Sequence, residues 1–91
     1  MTSQKQKMLA GDLYTADDPE LIADAARAAA WMVRYNGSLA WDAADRHKLL
    51  AEGLGQVGAG AVVRPPFHCD YGYNIALGDR VFLNFGCVIL D

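Results

Sequence analysis

Apolar residues recur at every sixth position in the second part of the chain, over residues 57–91. Small or branched apolar side chains occupy one column of this pattern, and non-polar or aromatic residues occupy a second column two positions later. The first column is Val57, Val63, Cys69, Ile75, Val81 and Cys87, and the second is Ala59, Pro65, Tyr71, Leu77, Leu83 and Ile89. The constant step of six indicates an internal repeat.

A six-residue repeat distinguishes between fold types. A series of hairpins would place turns about 8–12 residues apart, and an amphipathic helix would show a period of about 3.6. A step of six instead matches a parallel β-helix, in which each unit forms one short side and its apolar residue stacks on the equivalent residue of the next coil. We therefore expect residues 57–91 to begin a β-helix with the first column facing inward.

The first part of the chain, residues 1–56, predicts three helices. Ser3 is a candidate N-cap of a short first helix, and residues 17–20 (Asp-Asp-Pro-Glu) place a cap, a proline and an acidic residue at the start of a longer one. Gly37 is expected to end that helix, and Asp42 is a candidate cap for the third. Because no linker rich in Pro or Ser follows, the helices should pack against the repeat. The expected fold class is α + β.

The long helix contains a continuous apolar stripe at helical spacing, which we expect to be its buried face. The stripe consists of Ile22, Ala25, Ala26, Ala29, Met32 and Val33. A stripe of this width needs a partner surface, and the start of the repeat is the candidate.

Composition and charge exclude several classes of protein. With 53% hydrophobic and 21% charged residues the chain is globular, and the net charge of −3 disfavours a nucleic-acid partner, since phosphate contacts require a basic face. No apolar run approaches the roughly 20 residues of a membrane span, and no hydrophobic segment follows the first lysines. A soluble cytoplasmic protein without a membrane partner is expected.

The two cysteines, Cys69 and Cys87, lie on the first column, three repeat units apart. With three sides to a coil they would stack above one another. Buried cysteine usually behaves as a small hydrophobic residue, and cytosolic thiols stay reduced. We therefore expect two free thiols in the core.

The text PPFHCDYGYNIALGDRVFLNFGCVILD, together with MLAGDLY near the start and RYN and SLA in mid-chain, resembles the maltose and galactoside O-acetyltransferases over all 91 residues. The resemblance implies an N-terminal helical segment (1–56), followed by the first two coils of a left-handed β-helix of hexapeptide repeats (57–91). It also implies a homotrimer that transfers acetyl from acetyl-CoA to a hydroxyl of maltose, glucose or a galactoside, with both substrates bound between subunits.

The same resemblance implies three sugar-binding residues. Asp70 precedes Tyr71 and Gly72 as the family's polar acceptor ligand does, and matches the maltose branch, since the galactoside branch has serine there. Asn84 matches the asparagine before Phe85, and Asp17 is the nearest candidate for an acidic sugar contact. A carboxylate accepts hydrogen bonds from hydroxyls, while an amide both accepts and donates. Asn and Asp are also common turn residues that bond their own backbone, and this alternative remains open.

Neither histidine is assigned a role in catalysis or metal binding. His47 is expected on the solvent side of the third helix, and His68 and Cys69 should point to opposite faces of a strand, so they cannot converge on one ion. The family's catalytic histidine lies on a later coil, in a Thr-x-x-His-Pro context that these 91 residues do not contain. The coils that would bind coenzyme A are expected beyond Asp91, so we expect this chain alone to bind no cofactor and to be inactive.

Two alternatives to the sugar acetyltransferase remain open. One is a non-catalytic truncated paralogue or assembly fragment, and the other is a hexapeptide acyltransferase for a different hydroxyl acceptor, such as a lipo-oligosaccharide.

Overall fold

The computed structural model describes residues 2–91, which form three helices followed by six short strands. Helix α1 spans Gln4–Leu9, α2 spans Pro19–Asn36 and α3 spans Ala43–Gly53. The strands are β1 (Gln56–Val57), β2 (Val62–Val63), β3 (Phe67–Cys69), β4 (Ala76–Leu77), β5 (Phe82–Leu83) and β6 (Cys87–Ile89). Within the described residues, none of the helices is long and apolar enough to cross a membrane.

Local side-chain chemistry sets the helix boundaries. The Ser3 hydroxyl accepts a hydrogen bond from the Gln6 amide and the Gln6 side chain accepts one from the Ser3 amide, which forms a capping box. Asp18 caps α2 and Asp42 caps α3, each at 3.0 Å from the amide two residues later. The predicted caps Ser3 and Asp42 are confirmed, as is the end of α2 at Gly37.

The strands pair in parallel, each with the strand three places later in the chain. β1 pairs with β4, β2 with β5 and β3 with β6, in three separate two-stranded sheets. A hairpin pairs neighbouring strands in antiparallel fashion, whereas a repeat can pair equivalent strands in parallel, as these strands do.

The register of these pairs corrects the predicted repeat. Val57 lies opposite Leu77, Val63 opposite Leu83 and Cys69 opposite Ile89, so paired residues are twenty positions apart rather than eighteen. The step of six holds from β1 to β3 and again from β4 to β6, but the segment between β3 and β4 contains two extra residues. The predicted stacking of one column from Val57 to Cys87 is therefore wrong beyond Cys69, although Ile75, Val81 and Cys87 still pack in or against the core as expected.

The same shift changes the environment of the cysteines. Cys87 lies opposite Phe67 in the β3–β6 pair, and Cys69 lies opposite Ile89, so the two cysteines do not stack on each other as predicted. Both are free thiols; Cys69 is buried and Cys87 is half-buried.

Helix α2 buries a different face from the predicted stripe. Ile22 is 54% exposed and Val33 is 77% exposed. The buried residues of the helix are Leu21, Asp24, Ala28, Trp31 and Tyr35. The reason is side-chain size: the two aromatic rings remove more apolar area from water than a row of alanines can, so they determine which face packs.

Trp31 lies at the centre of the single core that the helices and strands share. Its ring stacks on Tyr35 at 5.1 Å and meets Phe67 edge-on at 6.3 Å, and its Nε1 donates to the Leu49 carbonyl at 2.7 Å. On the next turn Asn36 bonds both the amide and the carbonyl of Phe67, at 2.8 and 3.0 Å. These contacts join α2 and α3 directly to strand β3, and thereby place the segment that follows this strand.

Candidate acceptor site at the corner after strand β3

The chain turns sharply after β3 through residues 70–74, which we call the corner. Gly72 adopts φ +86°, and a Cβ there would lie 2.2 Å from the Gly53 carbonyl oxygen at the end of α3. Only glycine combines this backbone conformation with so close an approach. The Gly72 carbonyl accepts hydrogen bonds from the amides of Gly55 (3.2 Å) and Ile75 (3.0 Å). The two extra residues of the repeat thus form an ordered turn packed against α3.

Asp91 holds the backbone of the corner. Its Oδ1 accepts hydrogen bonds from the amides of Asp70 (3.2 Å) and Tyr71 (2.9 Å), and its Oδ2 accepts one from the amide of Asn74 (3.2 Å). The Asn74 side chain donates in return to the Asp91 carbonyl at 2.9 Å. Charge-assisted bonds of this kind are among the stronger ones in proteins. The corner is therefore preorganised, with the Asp70 residue exposed to solvent.

Asp24 of α2 holds the corner from the helical part. The Tyr73 hydroxyl donates to Asp24 Oδ2 at 2.9 Å, Lys5 Nζ lies 3.0 Å from the same oxygen, and Arg27 Nη2 donates to Oδ1 at 2.9 Å. Asp24 is only 4% exposed. Burial acts to raise the pKa of this carboxyl, but the hydrogen bonds from Lys5, Tyr73 and Arg27 outweigh it and hold the pKa below its ordinary value.

Two stacked tyrosines line a small cavity beside this cluster. The rings of Tyr71 and Tyr73 lie 5.5 Å apart and nearly parallel, and Lys5 Nζ lies 4.6 Å from the Tyr73 ring centre. Burial is the largest cause that raises the pKa of Tyr73, and the hydrogen bond to Asp24 is the second largest. The cavity has a volume of about 130 Å³, and its polar lining consists of Asp24, Arg27, Glu52, Tyr71 and Tyr73.

Asn84 follows strand β5 and is exposed. Its Oδ1 accepts a hydrogen bond from the Phe85 amide at 2.9 Å, which is the turn arrangement left open by the sequence. The guanidinium of Arg64 lies 3.7 Å from the centre of the Phe85 ring. Since Oδ1 is engaged, the amide nitrogen of Asn84 is the group left to donate to a ligand.

The structure does not join the three predicted sugar ligands by direct contact. Within residues 2–91, no hydrogen bond or ion pair connects Asp17, Asp70 or Asn84 to one another. Asp17 lies exposed in the turn before α2, where its neighbour Asp18 supplies the cap. Of the three, Asp70 has its backbone most firmly held.

The histidines lie away from these contacts. His68 is exposed between buried Phe67 and Cys69, which confirms the predicted alternation along β3. His47 is half-buried, and its Nε2 lies 3.1 Å from the Gly58 carbonyl oxygen, so its predicted solvent-facing position is wrong. The reason is that α3 packs this side against the connection between β1 and β2. No cluster of three metal-ligating side chains occurs among the residues that the structure describes.

Sequence reasoning missed Asp24, Tyr73 and Asp91, the side chains that hold the corner in place. Asp24 was detectable in principle, because it falls at helical spacing between Leu21 and Ala28 on the buried face. Nothing local marks Asp91, whose partners lie 17 to 21 residues earlier in the chain.

Comparison with known proteins identifies relatives over the whole chain. The family described as the maltose acetyltransferase hexapeptide capping motif matches residues 7–58. Nodulation protein L of Rhizobium meliloti is 58% identical over 89 residues, which cover 98% of this chain and 49% of that protein. The chain thus spans about half the length of the curated relatives it matches.

Solved structures of acetyltransferases resemble this chain over the same length. A hexapeptide-repeat acetyltransferase of Vibrio cholerae, complexed with acetyl coenzyme A, superposes with a TM-score of 0.86 at 36% identity, covering 98% of this chain and 48% of that one. A galactoside acetyltransferase in complex with coenzyme A gives a TM-score of 0.87 at 30% identity, covering 100% of this chain and 46% of that one.

Proposed function

This chain belongs to the maltose and galactoside acetyltransferase family, and we propose that it forms the sugar-binding part of an acetyl-CoA-dependent sugar O-acetyltransferase. The acceptor is a hydroxyl of maltose, glucose or a galactoside. We assign the first two coils of a left-handed β-helix to residues 57–91 and the helical segment to residues 1–56. The complete protein is proposed to be a cytoplasmic homotrimer that binds its substrates between subunits.

The observation that supports this proposal is the exposed Asp70 carboxylate on a corner whose backbone is held by Asp91. A carboxylate on a backbone that is already held can accept hydrogen bonds from two neighbouring hydroxyls of a sugar without ordering a loop at the moment of binding. Asn84 would donate from its free amide nitrogen, and Asp17 is assigned as a further contact.

The charge of this region fits a neutral polyol and does not fit coenzyme A. Residues 70–91 contain three carboxylates, Asp70, Asp79 and Asp91, and one cation, Arg80. The two cations beside the corner, Lys5 and Arg27, are already paired with Asp24. A coenzyme with several phosphates requires basic groups or backbone amides. We therefore assign acetyl-CoA binding to residues outside this chain. The catalytic base is assigned there too, because residues 1–91 lack the family's Thr-x-x-His-Pro context, and we expect these residues alone to transfer no acetyl group.

The test uses a fusion that continues residues 1–91 with the remaining half of Rhizobium meliloti nodulation protein L, called the completed fusion below. Release of the coenzyme A thiol is measured with maltose, glucose and a galactoside, beside the 91-residue chain as the inactive control. Acetyl transfer to at least one sugar is expected. A folded fusion that binds acetyl-CoA and acetylates none of them would contradict the proposal and favour a non-catalytic role or another hydroxyl acceptor.

The residue-level prediction concerns Asn84→Ala in the completed fusion. Loss of one hydrogen bond to a neutral hydroxyl costs about 0.5–1.5 kcal/mol, so acceptor kcat/KM should fall roughly two- to twelvefold while the KM for acetyl-CoA is unchanged. Unchanged acceptor kinetics with a lower melting temperature would assign Asn84 to the turn alone.

A further inference from the structure

We propose that Asp24 is a positioning residue for the acceptor site: by binding the Tyr73 hydroxyl it sets the place of the corner, and hence of Asp70, relative to α1 and α2. This inference rests on the proposed function. Asp24 does not touch the acceptor in this scheme; it acts through Tyr73.

Asp91 leaves part of the corner unrestrained. Its carboxylate bonds the amides of Asp70, Tyr71 and Asn74, and none of the groups of residues 72 and 73. Those two residues are fixed from the helical part instead, Gly72 through its carbonyl and its approach to Gly53, and Tyr73 through its hydroxyl. The position of the corner is therefore determined jointly by the strands and the helices.

Asp24 is the point at which three segments meet. It lies on α2, Tyr73 belongs to the corner, and Lys5 belongs to α1. Helix α1 has no fully buried residue, and its apolar packing is limited to half-buried Met8. Besides the Lys5 contacts, it is tied to the rest of the chain by Gln4, which accepts from the Thr15 amide at 2.7 Å. A change at Asp24 thus reaches both α1 and the corner.

The chemistry of the cluster favours a geometric role over a purely stabilising one. Burying a charged network contributes little net stability compared with apolar packing, because desolvation offsets the attraction. A carboxylate with three donors does, however, restrict its partners to one arrangement. Position 24 lies on a face otherwise occupied by Leu21, Ala28 and Trp31, where an apolar residue would pack without this constraint.

Tyr73→Phe is the most selective test, because it removes only the hydroxyl and keeps the ring that stacks on Tyr71. The matched control is Tyr35→Phe, which removes a hydroxyl hydrogen bond from the same helix to the Val63 carbonyl, away from the corner. Amide hydrogen exchange in the 91-residue chain is followed by NMR. Exchange at Asp70 and Tyr71 should become about fivefold faster in Tyr73→Phe and change less than twofold in the control.

The second readout is kinetic and uses the completed fusion. Tyr73→Phe should raise the acceptor KM about three- to tenfold while leaving the KM for acetyl-CoA unchanged. Asp24→Asn retains an oxygen acceptor for the Tyr73 hydroxyl, so it should raise the acceptor KM by less than Tyr73→Phe does. A purely structural role would lower the melting temperature without this split between the two substrates.

The two readouts separate the possible failures. Unchanged exchange at the corner in Tyr73→Phe, or equal acceleration in Tyr35→Phe, overturns the coupling whatever the fusion does. Faster exchange with an unchanged acceptor KM overturns the positioning role. A wild-type fusion without acetyl transfer overturns the proposed function, while the exchange data still decide whether Asp24 holds the corner.

Discussion

Replacing Gly72 by alanine tests the close approach between the corner and the end of α3. The added Cβ would lie 2.2 Å from the Gly53 carbonyl oxygen, and the backbone at Gly72 has φ +86°. Gly86 supplies a matched control, because its φ is +79° but a Cβ there meets no atom within 4 Å. The two substitutions share the backbone strain and differ in the steric contact.

The expected magnitudes follow from this difference. A left-handed conformation costs a residue with a Cβ about 1–2 kcal/mol, and alanine recovers about 0.4–1 kcal/mol by reducing the freedom of the unfolded chain, so Gly86→Ala should cost about 1 kcal/mol. Gly72→Ala must in addition displace a backbone carbonyl, for which overpacking costs of about 1–3 kcal/mol are typical. The total for Gly72→Ala is about 2–4 kcal/mol, a large part of the stability of a domain of this size.

The free energy of unfolding is measured by urea denaturation of both variants and the wild type, followed by circular dichroism. Protein concentrations are chosen at which sedimentation shows a single species. In thermal unfolding, each 1 kcal/mol should appear as a shift of about 4–8 °C. If Gly72→Ala were no more destabilising than Gly86→Ala, the corner would not be packed against α3, and its preorganisation would rest on the contacts of Asp91 and Tyr73 alone.

Three further predictions concern the core and its charges. Val81→Asp places a carboxylate against the core and should lower the free energy of unfolding by about 2 kcal/mol or more, whereas exposed Arg80→Ala should change it by less than about 0.5 kcal/mol; equal urea midpoints would contradict this. Burial, with the charges of nearby carboxylates, raises the pKa of Cys69 to about 11, so mass spectrometry after iodoacetamide at pH 8 should show Cys87 alkylated first. Because hydrogen bonds hold the pKa of Asp24 below its ordinary value in the folded protein, its contribution to stability is present at pH values above that ordinary pKa and is lost as the pH falls through the folded pKa; Asp24→Asn should flatten this acid-side decline in unfolding free energy.

Local chemistry explains the part of the fold that was predictable. The caps at Ser3 and Asp42 and the stop at Gly37 depend on hydrogen bonds and backbone preferences within a few residues, which the sequence encodes directly. The alternation along β3 and the parallel pairing follow from the apolar period. The family relationship was also predictable, because the motif text is distributed over the whole chain.

The tertiary structure alone decided the features that form the site. Sequence periodicity predicted an unbroken step of six, but the chain inserts a corner at residues 70–74, because its carbonyl and amide groups find partners in Gly55 and Asp91. Periodicity also could not rank the two possible faces of α2, since the choice depends on how Trp31 fits against Phe67, 36 residues later.

The charged contacts depend on tertiary structure for the same reason. Asp24 meets Tyr73 across 49 residues, and Asp91 meets Asp70 across 21. Contacts at such separations leave no periodic trace, because each is made once, between groups that only the packed helices and strands bring within hydrogen-bonding distance. The amino-acid sequence by itself therefore determined the elements and the family of this protein, and the packing of those elements determined where its candidate acceptor residue is held.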